Sequence, residues 1–206
     1  MKPKEPQKYH ILYEQDGIIV VDKSAGLPTQ PTRSKEENLY DLLLERYSYV
    51  GLHHRLDQAT SGLVLCTTHQ KNNRSIAQQI RERKIQRLYT CVVLGTFLER
   101  GNAGQWTTDI DGKEARTDWR CLKKNNSSAL LEVTLHTGRK HQIRKHANTH
   151  QSPILGDRRY GHAGTLAKRL CLHAHQLSFV HPQSREHISI TSPIPTLMQR
   201  YVDRIL

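Results

Sequence analysis

The segment His53-His-Arg-Leu-Asp-Gln-Ala-Thr-Ser-Gly62 brings a cation, a carboxylate and two hydroxyls together and runs directly into the apolar stretch Leu63-Val-Leu-Cys66. A polar loop anchored on a buried strand is where a scaffold usually carries its chemistry. Asp57 stands two residues after Arg55, and a nearby cation favours the ionised carboxylate that a nucleophile or general base requires. The simpler account of the same residues is a turn, with Asp57 as turn former and Thr60 and Ser61 bonding the backbone.

Other chemistries lack their residues. Ser61-Gly62 is not part of a G-x-S-x-G elbow, and no G-x-x-x-x-G-K-[ST] loop exists to cradle a nucleotide phosphate. His141, His146 and His150 crowd together, but there is no H-E-x-x-H spacing and no nearby Cys or carboxylate completes a ligand set. A solvated or nucleic-acid-facing basic helix is the expectation there, and no metal. Cys66, Cys91, Cys121 and Cys171 are widely spaced without a C-x-x-C pair, which disfavours zinc fingers and disulfide scaffolds. Three of them sit in apolar, strand-like contexts where a thiol acts as a small hydrophobe.

The chain has 206 residues and a net charge of +12. Residues 104–206 hold 16 basic and 8 acidic residues, against 15 and 11 in residues 1–103. Two basic clusters stand out: Arg81, Arg83, Lys84 and Arg87, then Arg139, Lys140, Arg144 and Lys145. Clustered Lys and Arg at an isoelectric point of about 9.7 form the footprint of a phosphate-backbone binder. Neither cluster has the broad apolar face of a membrane-surface helix. No apolar run is long enough to span a bilayer. The stretch Met1-Lys-Pro-Lys-Glu-Pro-Gln-Lys8 lacks the apolar core of a secretory signal, so the expected location is the cytoplasm.

The elements that must position these residues alternate in type. Ile11–Tyr13 and Ile18–Val21 predict a hairpin about Asp16-Gly17, and Asn38 predicts a helix N-cap ahead of Leu39, Leu42 and Leu43. Strands are expected at 62–68 and 88–95, with a helix over 70–84 between them. A meander follows near 106–110, 115–122 and 129–135. Gly138 ends the last of these before a helix over 140–149. Strands at 174–180 and 187–191 and a helix starting at Pro195 complete the chain. The expected architecture is α+β: one domain over residues 11–206 after a polar tail at 1–10, built on a largely antiparallel sheet.

His54-Arg-Leu-Asp57 followed by Thr60-Ser-Gly-Leu63 resembles the signature of the RluA-type RNA pseudouridine synthases. The resemblance extends in order along the chain. Ile18-Ile-Val-Val-Asp-Lys-Ser-Ala-Gly-Leu27 resembles the family's N-terminal strand and loop, and Arg83-Lys-Ile-Gln-Arg-Leu-Tyr89 its second basic motif. Leu135-His-Thr-Gly-Arg-Lys-His-Gln-Ile-Arg144 with His146 is similar to its third, continued by Pro153-Ile-Leu-Gly-Asp157 and Tyr160-Gly161. Leu172-His-Ala174 and Phe179-Val-His-Pro182 match the region that closes the domain. Ser24, Arg87 and Gln151 depart from the usual Pro, Lys and Gly. Arg for Lys keeps the charge and alters its geometry, and Gln151 stands where Gly supplies a conformation other residues avoid.

The resemblance implies isomerisation of uridine to pseudouridine in ribosomal or transfer RNA without cofactor or metal. The bond from sugar to base nitrogen breaks, the uracil turns, and a carbon–carbon bond forms. Asp57 would attack the sugar or take a proton from it, with Arg144 as the ion-pair partner that keeps it ionised and oriented. A phosphate contact is the plainer role for Arg144. Tyr89 would stack on the uracil, its plainer role being a core aromatic. Arg55 would fill the space vacated by the extruded nucleotide. Ile143 lines the pocket or packs the helix, and Arg83, Arg87, Arg139 and Lys140 contact the RNA backbone. His173 and Asp157 read as structural. The protein is expected to act as a monomer without an obligate protein partner. The alternative is a non-catalytic RNA-binding or ribosome-assembly factor using the same basic face.

Overall fold

Asp16 and Gly17 both take positive φ, 49° and 81°, the geometry of a type I′ turn, whose twist matches the strands it joins. A Cβ at Gly17 would lie 2.4 Å from the His69 ring, so the turn admits only glycine there. In the computed structural model, which describes residues 8–95, 101–161 and 167–206, this turn joins β1 (Tyr9–Gln15) to β2 (Ile18–Lys23). The strand thus begins at Tyr9, inside the expected tail, of which residues 1–7 lie outside the described residues. By its internal contacts the chain divides into two compact units, residues 1–85 with 178–192, and residues 86–177 with 193–206.

In the first unit β2 pairs antiparallel with β1 and with β4 (Ser61–Thr67), which also pairs with the two-residue β3 (Gly51–Leu52). β1 alternates in burial as a one-faced strand does, whereas every residue of β4 is buried. Ile18 to Val21 and Leu63 to Cys66 are at most 1 % exposed and form the core with Leu39 and Leu43 of α1 (Leu39–Leu44) and Ile76 of α2 (Asn73–Arg81). Asn38 caps α1 as expected: its Oδ1 accepts from Asp41 N at 3.1 Å and its Nδ2 donates to Asp41 Oδ2 at 2.7 Å. The expected 70–84 helix is a 3-10 turn at Gln70–Asn72 leading into α2. It ends early because Arg83 turns left-handed, φ 56°. Lys84 N then bonds Gln79 O at 2.9 Å and Arg83 N bonds Ile80 O at 3.1 Å, a Schellman closure.

The second unit is an antiparallel meander. β5 (Gln86–Leu94) pairs with β8 (Ser128–Leu135), β8 with β7 (Thr117–Lys124) and β7 with β6 (Ala103–Trp106). α3 (Gln142–Thr149) and α4 (Thr196–Ile205) complete it, with Pro195 as the N-cap of α4. β9 (Leu172–Val180) contributes Leu172–Leu177 here and Ser178–Val180 to the first unit, where β10 (His187–Thr191) belongs. The strand expected at 106–110 is displaced. β6 ends at Trp106, and Ile110 pairs with Lys113 around a second type I′ turn at Asp111 and Gly112, φ 53° and 70°. The Asp-Gly pair overrides the apolar alternation before it. The α+β class and largely antiparallel pairing agree with expectation.

Candidate active site

The first unit carries Asp57, Arg55 and Arg83. Asp57 is half-buried, while Arg55 and Arg83 are exposed. The register of β2 against β4 ends with Lys23 opposite Gly62, which brings Lys23 to the loop that holds Asp57. Its side chain is fully buried, and a buried ammonium persists only where acceptors replace water. Main-chain carbonyls are among those acceptors: Lys23 Nζ donates to Leu27 O at 2.7 Å, Ser24 O at 3.0 Å and Gln58 O at 3.4 Å. Gln58 O also accepts from Gly26 N at 2.8 Å. On the other side of Asp57, Thr29 Oγ1 clamps Leu56, accepting from its N–H at 3.1 Å and donating to its carbonyl at 2.8 Å. Asp57 is therefore flanked by two residues whose backbones are fixed from the preceding loop.

The turn itself is closed by main chain, Thr60 N to Asp57 O at 3.0 Å. Thr60 Oγ1 is buried and makes no hydrogen bond among the described residues, so the backbone-bonding role expected of Thr60 is not what the structure has. The two histidines before the motif hold the loop to β4. His54 Nε2 accepts from Leu65 N at 2.9 Å, and His53 Nε2 meets Thr67 Oγ1 at 3.0 Å. Burial pushes the His53 imidazole down to about 4, so it is neutral at physiological pH.

The second unit carries Tyr89, Arg87, Arg139, Lys140, Ile143 and Arg144. Tyr89 is 5 % exposed on β5, opposite Val133 of β8. Arg87 is half-buried, and Arg139 and Lys140 are exposed at the approach to α3. Arg139 Nε donates to Glu114 O at 2.9 Å. Ile143 is buried. Gln142 pins the start of α3: its Oε1 accepts from Arg139 N at 3.0 Å and Thr137 Oγ1 at 2.7 Å, and its Nε2 donates to Arg116 O at 2.9 Å and Thr117 Oγ1 at 2.9 Å.

The expectation of a solvated helix is corrected here, because five of the eight residues of α3 are buried. His146, 1 % exposed, spans Thr117 Oγ1 and Thr108 O, both at 2.8 Å. Since the carbonyl can only accept, Nε2 carries the proton. His150 stacks on Trp106 at 5.9 Å. His141 meets Tyr160 Oη at 2.8 Å through Nδ1.

Arg144 is 8 % exposed and Asp157 only 1 %. Nε donates to Oδ2 and Nη2 to Oδ1, each at 2.8 Å, the bidentate geometry of a strong charge-assisted pair. Oδ1 also accepts the N–H of Arg159 at 3.0 Å and of Tyr160 at 3.1 Å. Burial acts to raise the Asp157 carboxyl, but the Arg144 hydrogen bonds and charge together with those amides hold it below its ordinary value. Lys23, Thr29 and the pairing of Asp157 were missed by sequence reasoning. The only signals for them are a lysine closing the apolar run Ile18–Val21 and a lone acid in Leu155-Gly-Asp-Arg-Arg-Tyr160.

A fixed turn presenting a carboxylate, followed along the chain by a buried tyrosine strand and a bidentate arginine helix, defines a class. Residues 17–149, more than half of the chain, match the family described as RNA pseudouridylate synthase, and the chain belongs to that family, in its RluA-type branch. It is 32 % identical to the dual-specificity RNA pseudouridine synthase RluA of Pasteurella multocida, over 89 % of this chain and 92 % of that one. It is also 32 % identical to ribosomal large subunit pseudouridine synthase D of Xanthomonas campestris, covering 95 % of this chain and 69 % of the relative. With synthase D of Neisseria meningitidis serogroup A the identity is 33 %, over 93 % of this chain and 59 % of that protein. The fold matches that of human RNA Pseudouridylate Synthase Domain Containing 4 with a TM-score of 0.77 at 22 % identity, covering 95 % and 92 % of the two chains. Among the described residues no helix is long and apolar enough to cross a membrane.

Proposed function

We propose that residues 11–206 act as one catalytic domain that isomerises uridine to pseudouridine in ribosomal or transfer RNA, with Asp57 as the catalytic carboxylate. The observation that carries this is the turn at Asp57, fixed on one side by Thr29 and on the other by the buried Lys23 ammonium. A group that must meet one atom of the sugar gains from being held in place before the substrate arrives. Names of relatives point to large-subunit ribosomal RNA as the first substrate to test, with transfer RNA open through the dual-specificity relative.

Arg144 is the partner of Asp57 in this reading, Tyr89 the face on which the uracil rests, and Ile143 part of the pocket wall. Arg55 enters the space left by the extruded nucleotide. Arg83, Arg87, Arg139 and Lys140 grip phosphates, which sets register and adds salt dependence without reading sequence. Exposure of Arg55, Arg83, Arg139 and Lys140 supports those roles. The protein works in the cytoplasm as a monomer without an obligate protein partner.

Mapping pseudouridine in ribosomal and transfer RNA from cells with and without this protein tests the reading. Loss of one or a few sites, restored by the wild-type chain and not by Asp57→Asn, is the expected result. An unchanged map would favour the non-catalytic RNA-binding or assembly role.

A further inference from the structure

Arg144 is held from several sides by a single short segment. Asp157 takes its Nε and Nη2 edge at 2.8 Å per bond, and the Tyr160 ring lies 5.1 Å from its Cζ. Tyr160 is in turn tied through its hydroxyl to His141 at 2.8 Å, the residue that precedes α3 at φ 56°. The carboxylate has no rotational freedom of its own, since Oδ1 also receives the Arg159 and Tyr160 amides.

The segment is anchored in the unit as well. Leu155 N bonds Val92 O at 2.8 Å on β5, and Cys171 N bonds Leu155 O at 2.9 Å. Two glycines make the path possible. Gly156 has φ 78°, and a Cβ there would fall 1.9 Å from Arg169 O; at Gly161 it would fall 2.6 Å from Asp157 O. A planar guanidinium gripped along one edge has its remaining N–H directions fixed too. The pair is also close to neutral, so α3 carries a buried arginine without an uncompensated charge.

We infer that Asp157 is the positioning residue for Arg144, fixing the plane and direction of the guanidinium so that it acts on the reaction as an oriented hydrogen-bond donor. This rests on the role proposed above for Arg144. Asp157 itself touches neither substrate nor reacting atoms.

The test compares wild-type protein, Asp157→Asn and Asp157→Glu as full chains, using tritium release from transcripts of large-subunit ribosomal RNA and transfer RNA labelled at uracil C5. Asn preserves shape and the acceptor for the two amides but loses the charge and one of the two bonds. Expected is a loss of kcat on the order of 10–100-fold, the scale of small misplacements, with unchanged RNA affinity and faster solvent exchange of the Arg144 Nε–H in nitrogen-15 NMR. A merely structural role would lower the melting temperature and leave kcat per folded molecule unmoved, which overturns the inference. Should Asp157→Asn not fold, Asp157→Glu decides: it keeps the charge but displaces the carboxylate, so a reduced kcat supports the inference and a full rate overturns it. Absence of release by the wild type on both transcripts refutes the functional reading beneath, whereas an active wild type with an equally active Asn variant refutes the inference alone.

Discussion

Replacing Lys23 by Met removes the ammonium and keeps most of the side-chain volume. Of its bonds to main-chain carbonyls, those at 2.7 and 3.0 Å have good length, while the one at 3.4 Å to Gln58 O is weak. Hydrogen bonds to a charged group contribute about 1.5–3 kcal/mol each, and the orphaned carbonyls cost further, offset by no longer desolvating a cation. The net loss is about 2–4 kcal/mol from a total stability of roughly 5–15 kcal/mol. For a chain of this size that lowers Tm by about 5–15 °C. The damage is also local. The loop at 24–27 and the turn at 57–60 lose their shared donor, so tritium release falls further than the folded fraction does. Calorimetry and single-turnover release on the same samples separate the two effects. A Lys23→Met protein with wild-type Tm and full activity would show that this ammonium does not hold the turn.

Other outcomes follow from buried groups and backbone strain. His53 is neutral when folded, with its value pushed down from 6.5 to about 4 by burial, while the unfolded chain protonates below about pH 6.5. Stability therefore falls as pH drops through that window and levels off below it; the drop is worth at most about 3 kcal/mol, or about 1–2 kcal/mol once the half-exposed ring's contact with water is discounted. Urea melts across the window should show a shallower slope for His53→Asn, and an identical slope would refute the assignment. Asp157, held low by Arg144, contributes stability above its unfolded value that is lost only as pH falls further, through its folded value. Gln151 adopts φ 54° in the Schellman turn that ends α3, with Ser152 N bonded to Ala147 O at 2.8 Å. Gln151→Gly relieves about 1 kcal/mol of left-handed strain, partly offset by backbone entropy, so Tm should rise by a degree or two; a fall would contradict the strain.

Local signals in the sequence specify the structure where the cause is local. Asp16-Gly17 specifies its turn through positive φ, and Asn38 specifies its cap through a side chain that reaches Asp41 three residues on. Where two local signals compete, as between the apolar alternation at 106–110 and Asp111-Gly112, the turn prevails and the strand stops at Trp106. The candidate site was legible only in its residue types. The inward turn of Lys23 shows in the sequence only as a lysine closing an apolar run, because carbonyls among its acceptors have no sequence identity. Arg144 shows a charge but not which carboxylate takes it, since Asp157 lies beyond the end of α3. α3 reads as a solvated basic helix because its buried residues include Gln142, Arg144 and His146. Each is admitted to the interior by specific partners that no hydrophobic pattern announces.

In the proposed function Asp57 carries the chemistry. Single-turnover tritium release from large-subunit ribosomal RNA labelled at uracil C5, measured side by side for the wild type and Asp57→Asn, tests it most directly. Expected is release by the wild type and none above background by the variant, with folding and RNA affinity unchanged. Release by Asp57→Asn at the wild-type rate would contradict it.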